Sequence, residues 1–307
     1  MSGFLINRLL PHAGNRYVRH LLRLFEKRVF QEAHTWPACS FPWTKKQVAF
    51  CLSFDCDTSE DVRAIPNLLV LLDRYNIKAS FALIGTLVEE SPGPYRQVVA
   101  AGHEIINHGY SKHMEKDEKG EYYSSLFYHQ LSQKRIEEEI VWGHECLQKT
   151  LGVKPIGFRT PHFGTFQEPN QINILYNLLQ KHGYRYSSSV LMLYAKQRGY
   201  LRPNRVIQEF PLAARIGAPL SVFDSWGFCR APGRRLSELD FFPQFKKMMD
   251  VAFASKKPMF INIYCDPSHV VNFAGFQQCL IFLNQVKSQI WIGLYNQIVY
   301  LCDLKRG

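Results

Sequence analysis

From residue 47 onward the chain alternates short apolar runs with amphipathic helical segments, and this alternation limits the fold more than any other feature. QVAFCLSFD (47–55) is strand-like, and SEDVRAIPNLLVLLDRYN (59–76) has a helix start at Ser59, acids in its first turn and a periodic apolar face. KASFALIG (78–85) predicts a strand, PGPYRQVVAAG (92–102) a short helix with a glycine stop, and HEIINHG (103–109) a strand. LSQKRIEEEIVWGHECLQKTLG (131–152) is the clearest helix of the chain. KPIGFRTP (154–161), YRYSSSV (184–190), VIQEFPL (206–212), PLSVFD (219–224) and PMFINIYCD (258–266) read as further strands, with helices over 170–183 and 239–256 between them. Strands separated by helices predict a parallel α/β fold, and roughly seven strands in one unit predict closure into a barrel more than an open sheet.

The first 46 residues read as a separate basic extension, and 47–307 as one barrel domain. NRYVRHLLRLFEKRVFQEA (15–33) places Val18, Leu21, Leu22, Phe25, Val29 and Phe30 at helical spacing with Arg16, Arg19, Arg23 and Lys27 between them. Such a helix fits either an anionic membrane surface or a terminal helix packed on the core with its basic side in solvent. Residues 34–46 predict an irregular connector. Charge is uneven: 1–46 carry eight Lys/Arg against two acids, 47–195 fourteen against seventeen, and 196–307 fifteen against seven. That distribution suits either anionic partners, such as a membrane surface, a phosphorylated lipid or a nucleotide-sugar, or ordinary solubilising charge. No recognition-helix, zinc-finger or RNP pattern accompanies it, so nucleic acid is not the expected partner. The eight cysteines include no CxxC pair, and several sit inside apolar runs as buried thiols do. The N-terminus has no signal-peptide core, being broken by Arg8 and Pro11, and no run approaches a transmembrane length. These features predict a cytoplasmic location, with contact at the inner face of a membrane if the basic helix docks there.

In a parallel barrel, side chains at strand C-termini converge on one rim. Those termini carry Asp55 and Asp57 (SFDCDTSED), His108 and His113 (HGYSKH), Arg159 and His162 (FRTPHFG), Asp224 and Trp226 (FDSW), and Asp266 and His269 (YCDPSH). An aspartate with two histidines is a common set for a catalytic divalent ion, leaving positions open for water and substrate. A second carboxylate can accept a proton from that water, and an arginine can hold that carboxylate in place and charged. Each residue alone is a weak signal, since an aspartate after a strand is most often a helix cap; five of the right types at successive strand ends are a stronger one.

With these motifs in this order, residues 47–303 resemble the polysaccharide deacetylases, the NodB-homology group of carbohydrate esterases. SFDCD is similar to the first family motif, AGHEIINHGYSKH to the second and GVKPIGFRTPHFG to the third. The resemblance implies a distorted (β/α) barrel of about seven parallel strands that hydrolyses an N-acyl group, acetyl or formyl, from an amino sugar in a glycan or in a lipid- or nucleotide-linked precursor. It makes Asp55 the catalytic base, steadied by Arg159. It makes Asp57, His108 and His113 the ligands of a divalent metal, zinc first, with cobalt, nickel or manganese as alternatives. Pro161 and Phe163 would shape the substrate groove, and Trp226 would wall the acyl methyl. Two departures stand out. The family spaces its histidines four apart, whereas His113 follows His108 by five, with Lys112 at the usual place. A strict loop register would cost a ligand; a one-residue bulge, which loops tolerate, would keep His113 in reach and is the favoured outcome. At the fifth motif, where the family has a histidine acting as general acid, this chain has Asp266 with His269 three residues on. His269 is the favoured acid and Asp266 with a raised pKa the other candidate, unless the step is impaired. The rival readings are a metal-independent amidohydrolase of the same fold and a barrel that grips a glycan without cutting it.

Overall fold

Nine consecutive buried residues, Val48–Cys56, make strand β1, buried along its whole length because both faces are covered. In the computed structural model, which describes residues 3–36, 46–201, 205–230 and 236–304, eleven further strands follow it. They are β2 (Ser80–Leu83), β3 (Glu104–Asn107), β4 (Met114–Lys116), β5 (Tyr122–Ser124), β6 (Gly157–Phe158), β7 (Tyr186–Ser187), β8 (Gln208–Glu209), β9 (Ala214–Arg215), β10 (Ala218–Val222), β11 (Met259–Cys265) and β12 (Ile290–Ile292). Six of them join β1 in a continuous parallel sheet in the order β11-β1-β2-β3-β6-β7-β8, with β12 added beside the first three residues of β1. The sheet curves back on itself: beyond β8 the Ala213 N–H donates to the carbonyl of Asn262 on β11 at 2.7 Å. The expected barrel of about seven parallel strands is therefore present, closed at one seam by irregular chain.

Period-two alternation along β1 sorts its side chains. Phe50, Leu52, Phe54 and Cys56 face outward into a large apolar cluster with the surrounding helices. Ala49 and Cys51 face inward with Phe210, Phe260 and Tyr295, and Trp36 fills the bottom of that interior, 4.6 Å from the Phe260 ring and stacked over Phe210. Further up the same inward face come Ser53 and Asp55, so polarity rises toward the C-terminal rim.

Three local expectations need correction. The segment 15–33 is not one helix but two, Arg16–Arg23 and Glu26–His34. The bend at Leu24–Phe25 divides their apolar residues: Leu22 and Val29 join Ile6, Leu10, Ala13 and Leu193 in a satellite cluster, while Phe30 enters the main core. PLSVFD contributes β10, which pairs antiparallel with β9 outside the barrel, because Gly217 at φ +77° turns the chain back tightly. The helix Ser59–Arg74 is capped by Thr58 rather than Ser59, through a capping box with Asp61. The connector expected over 34–46 lies mostly outside the described residues.

Candidate metal centre and catalytic rim

Because the strands are parallel, β1, β3, β6 and β11 deliver their C-terminal residues to one rim. The register pairs Phe54 with Cys265, so Asp55 and Asp266 leave neighbouring strands at one level. Thr58 and Asp61 take over the capping of the following helix, which leaves Asp57 without that usual duty. Its Oδ1 lies 3.4 Å from His108 Nε2 and 3.2 Å from His113 Nε2. The three residues offer ligand atoms all within 4.8 Å of one another.

The donor set fits a divalent cation on two observations. Asp57 Oδ1 and His113 Nε2 are buried without a hydrogen-bond partner, a costly condition unless something else satisfies them. His108 sets its own tautomer, because Nδ1 lies 2.8 Å from the Arg159 carbonyl and so carries the proton, leaving the Nε2 lone pair for the centre. Burial pushes the Asp57 carboxyl up, but the two imidazoles beside it outweigh burial and hold it well below the usual carboxylate range.

His113 reaches this centre despite the extra residue. Lys112 points outward and pairs with Glu90 at 2.6 Å. The loop bends at Gly109, φ +89°, where a Cβ would press on the Tyr128 hydroxyl at 2.8 Å. It is then clamped by Glu139 of the helix Gln133–Leu151, a carboxylate with no solvent exposure. Glu139 Oε2 accepts the N–H groups of Tyr110 (2.9 Å) and Ser111 (2.8 Å), and Oε1 accepts the Ser111 hydroxyl (2.7 Å) and Arg135 Nη2 (2.6 Å). Glu139 carried no signal in sequence beyond its helix position. His162, at φ +57°, packs edge-on against the His113 ring at 4.9 Å and binds the Ser125 carbonyl at 2.7 Å.

Arg159 is fully buried and donates Nη1 to Asp55 Oδ1 at 2.5 Å. Nη2 reaches Ser53, Ser188 and Tyr295, and Nε the Ser188 carbonyl. Burial opposes the guanidinium charge, but Asp55 outweighs it and keeps the group protonated. A buried ion pair of this kind is tolerable only with such a shell of hydrogen bonds. Asp55 Oδ2 faces the other way, 3.9 Å from His108 Nε2, so one carboxylate lies between the arginine and the candidate ligand set. Phe163 and Tyr264 lie against the guanidinium, 5.6 and 5.8 Å from their ring centroids, and Pro161 is buried in the same loop.

On the adjoining side His269 Nδ1 binds Asp266 Oδ2 at 2.8 Å, and the Ser225 hydroxyl donates to the same oxygen at 3.1 Å. Burial raises Asp266 to about 6; burial also works against a charged His269, but Asp266 beside it raises that imidazole above its ordinary value. Asp61 ties this segment to the Asp57 loop, accepting Ser268 N–H and Oγ on one oxygen and the Asp57 and Thr58 N–H groups on the other. Trp226 sits on the short helix begun by Ser225 and is 46% exposed.

The chain is similar to several known proteins. The polysaccharide deacetylase family model matches residues 44–187. A peptidoglycan-N-acetylglucosamine deacetylase of Bacillus cereus is 30% identical over 126 residues, covering 41% of this chain and 39% of that protein. A peptidoglycan deacetylase of Helicobacter pylori is 27% identical over 127 residues, 41% of this chain and 37% of its own. The matches thus span about two fifths of the length of these relatives. Among solved structures, a Mycobacterium smegmatis protein assigned to the polysaccharide deacetylases superposes with a TM-score of 0.64 at 19% identity, covering 89% of this chain and 96% of that one. Puue allantoinase superposes with 0.63 at 17%, covering 86% and 93%. At these identities the structural likeness establishes the fold alone. The family match lies across β1, β3, β6 and the residues they present, so over residues 44–187 the chain is similar to the polysaccharide deacetylase family.

Proposed function

We propose that the protein is a metal-dependent hydrolase that removes an N-acyl group, acetyl or formyl, from an amino sugar. The observation that carries this reading is the convergence of Asp57, His108 and His113, two of their ligand atoms buried and unpartnered, beside an Asp55 carboxylate fixed by Arg159. It also favours this reading over a metal-free amidohydrolase, which has no need of that donor set, and over a barrel that only binds glycan, which has no need of the Asp55–Arg159 pair. Asp57, His108 and His113 would hold the cation, zinc by its taste for two histidines and a carboxylate, with cobalt, nickel or manganese able to replace it. The cation supplies Lewis acidity for the acyl carbonyl and for water.

The chain's own groups do the proton work. Asp55, fixed in place by Arg159, takes a proton from the attacking water. His269 gives a proton to the departing sugar nitrogen; its Nδ1 is occupied by Asp266, which leaves Nε2 as the donating atom, and Asp266 supports the imidazolium rather than acting as the acid. Pro161 and Phe163 border the groove above Arg159, and Trp226 offers an exposed apolar surface for the acyl methyl.

The B. cereus and H. pylori relatives are named for peptidoglycan, which supports an N-acetylated amino sugar as the substrate class. We place the reaction on a lipid- or nucleotide-linked precursor at the cytoplasmic face of a membrane. The basic N-terminal segment and the buried thiols Cys51, Cys56, Cys146, Cys265 and Cys279 support this placement. Among the described residues no helix is long and apolar enough to cross a membrane. The test is acyl release from N-acetyl- and N-formyl-amino-sugar substrates, free, nucleotide-linked and lipid-linked. Asp55→Asn is expected to lower turnover by about 10²- to 10⁴-fold with metal content unchanged; full activity in that variant overturns the assignment of Asp55.

A further inference from the structure

The helices at Gly3–Leu9 and Arg16–Arg23 each bury one apolar face and expose another. Ile6, Leu10, Ala13 and Leu22 pin them to the body of the protein against Val29 and Leu193. On the outward side Tyr17, Leu21 and Leu24 follow one another at intervals of four and three, which puts them on one helical face, and they are 74, 40 and 67% exposed. Phe4 (68%) stands exposed on the first helix with the Arg8 guanidinium over its ring at 4.6 Å, and Leu5 is exposed beside it. Five of the thirteen large apolar side chains exposed among the described residues thus lie within residues 4–24. Residues 3–25 carry four arginines, Arg8, Arg16, Arg19 and Arg23, and no carboxylate. The nearest acids, Glu26 and Glu32, are already engaged by Lys247 and Lys257.

We infer that this surface docks on an anionic lipid bilayer, with Tyr17, Leu21, Leu24 and Phe4 entering the headgroup–acyl boundary and the arginines lying among the headgroups. A protein partner of ordinary composition would offer aliphatic contacts but no uniform negative field; an anionic membrane offers both at once. Each arginine near such a surface contributes about fivefold in affinity, and this part is screened by salt, while the apolar part is not. The inference is independent of the deacylase reading, since none of these residues reaches the catalytic rim.

The test is co-sedimentation of the full chain with vesicles of phosphatidylcholine alone and with 30% phosphatidylglycerol. Binding is expected to the anionic vesicles, to weaken as salt rises, and to fall at least tenfold in the triple variant Tyr17→Gln, Leu21→Gln, Leu24→Gln. Because these side chains are exposed, the variant should keep its thermal midpoint and its acyl release from a water-soluble substrate. Wild-type protein that ignores both vesicles, or a triple variant that binds as well as wild type, overturns the inference. So does a wild-type dimer in solution that the triple variant abolishes, which would give the surface to a second copy of the chain.

Discussion

Replacing Glu139 by glutamine tests whether the clamp on the histidine loop matters for the centre as well as for the fold. Glu139 accepts four hydrogen bonds, two from the Tyr110 and Ser111 amides, one from the Ser111 hydroxyl and one from Arg135. Glutamine keeps a single oxygen. Turned toward the amides, it sets its NH2 group against Arg135 and forfeits one charge-assisted bond, about 1.5–3 kcal/mol when buried. The Arg135 side chain is 32% exposed, so water recovers part of that, and the net cost to stability should be about 1 kcal/mol. The larger effect falls on His113, which the loop must carry across one extra residue to within 3.2 Å of Asp57. Groups that orient metal ligands from behind are worth about 10- to 100-fold in metal affinity. Competition with a chromophoric chelator for Co²⁺ or Zn²⁺ should show at least a tenfold weaker Kd, with an altered cobalt absorption spectrum. A variant that loses stability but binds cobalt with the wild-type Kd and spectrum would refute the clamp's role in positioning His113.

Lys112→Ala should leave metal affinity and activity unchanged, because the Lys112 amine pairs with Glu90 at the surface; loss of metal in that variant would place the lysine at the centre. His34 is fully buried, with Nδ1 2.9 Å from the Phe30 carbonyl and Nε2 accepting the Ala214 N–H, and burial lowers its pKa to about 3. Its unfolded value is near 6.5, so the native state takes up that proton only near pH 3, and the stability it contributes is complete above pH 6.5 and falls by about 2 kcal/mol by pH 5. The His34 ring resonances should stay constant from pH 8 to 5, and a titration midpoint near 6.5 would contradict this. Trp36→Ala should cost about 3–5 kcal/mol in denaturant unfolding, since it empties the base of the barrel interior; a loss under 1 kcal/mol would mean the tryptophan is not part of that core.

The strand ends were legible because the chemistry of each residue type and its position after an apolar run are both local. Asp55, Asp57, His108 and Arg159 stand on one rim as parallel strands require. The reach of His113 was not legible, because it depends on Glu139, twenty-six positions later on another helix, and on the outward turn of Lys112. Trp36 looked like part of a connector, since nothing local marks a side chain that fills a barrel from below. The single helix drawn over 15–33 failed for the same kind of reason: its periodicity is continuous, but its apolar residues serve two separate clusters. The strand read in PLSVFD was real, but Gly217 turned it into a hairpin, which periodicity alone cannot distinguish from a barrel strand.

The most direct measurement is the divalent metal bound per chain after purification without chelator, in wild type and in His113→Ala. About one equivalent in the wild type, lost in the variant while circular dichroism stays native, is the result expected from the Asp57, His108 and His113 centre. A folded wild-type protein that neither carries nor takes up Zn²⁺, Co²⁺, Ni²⁺ or Mn²⁺, or a His113→Ala variant that holds metal as tightly as wild type, would contradict it.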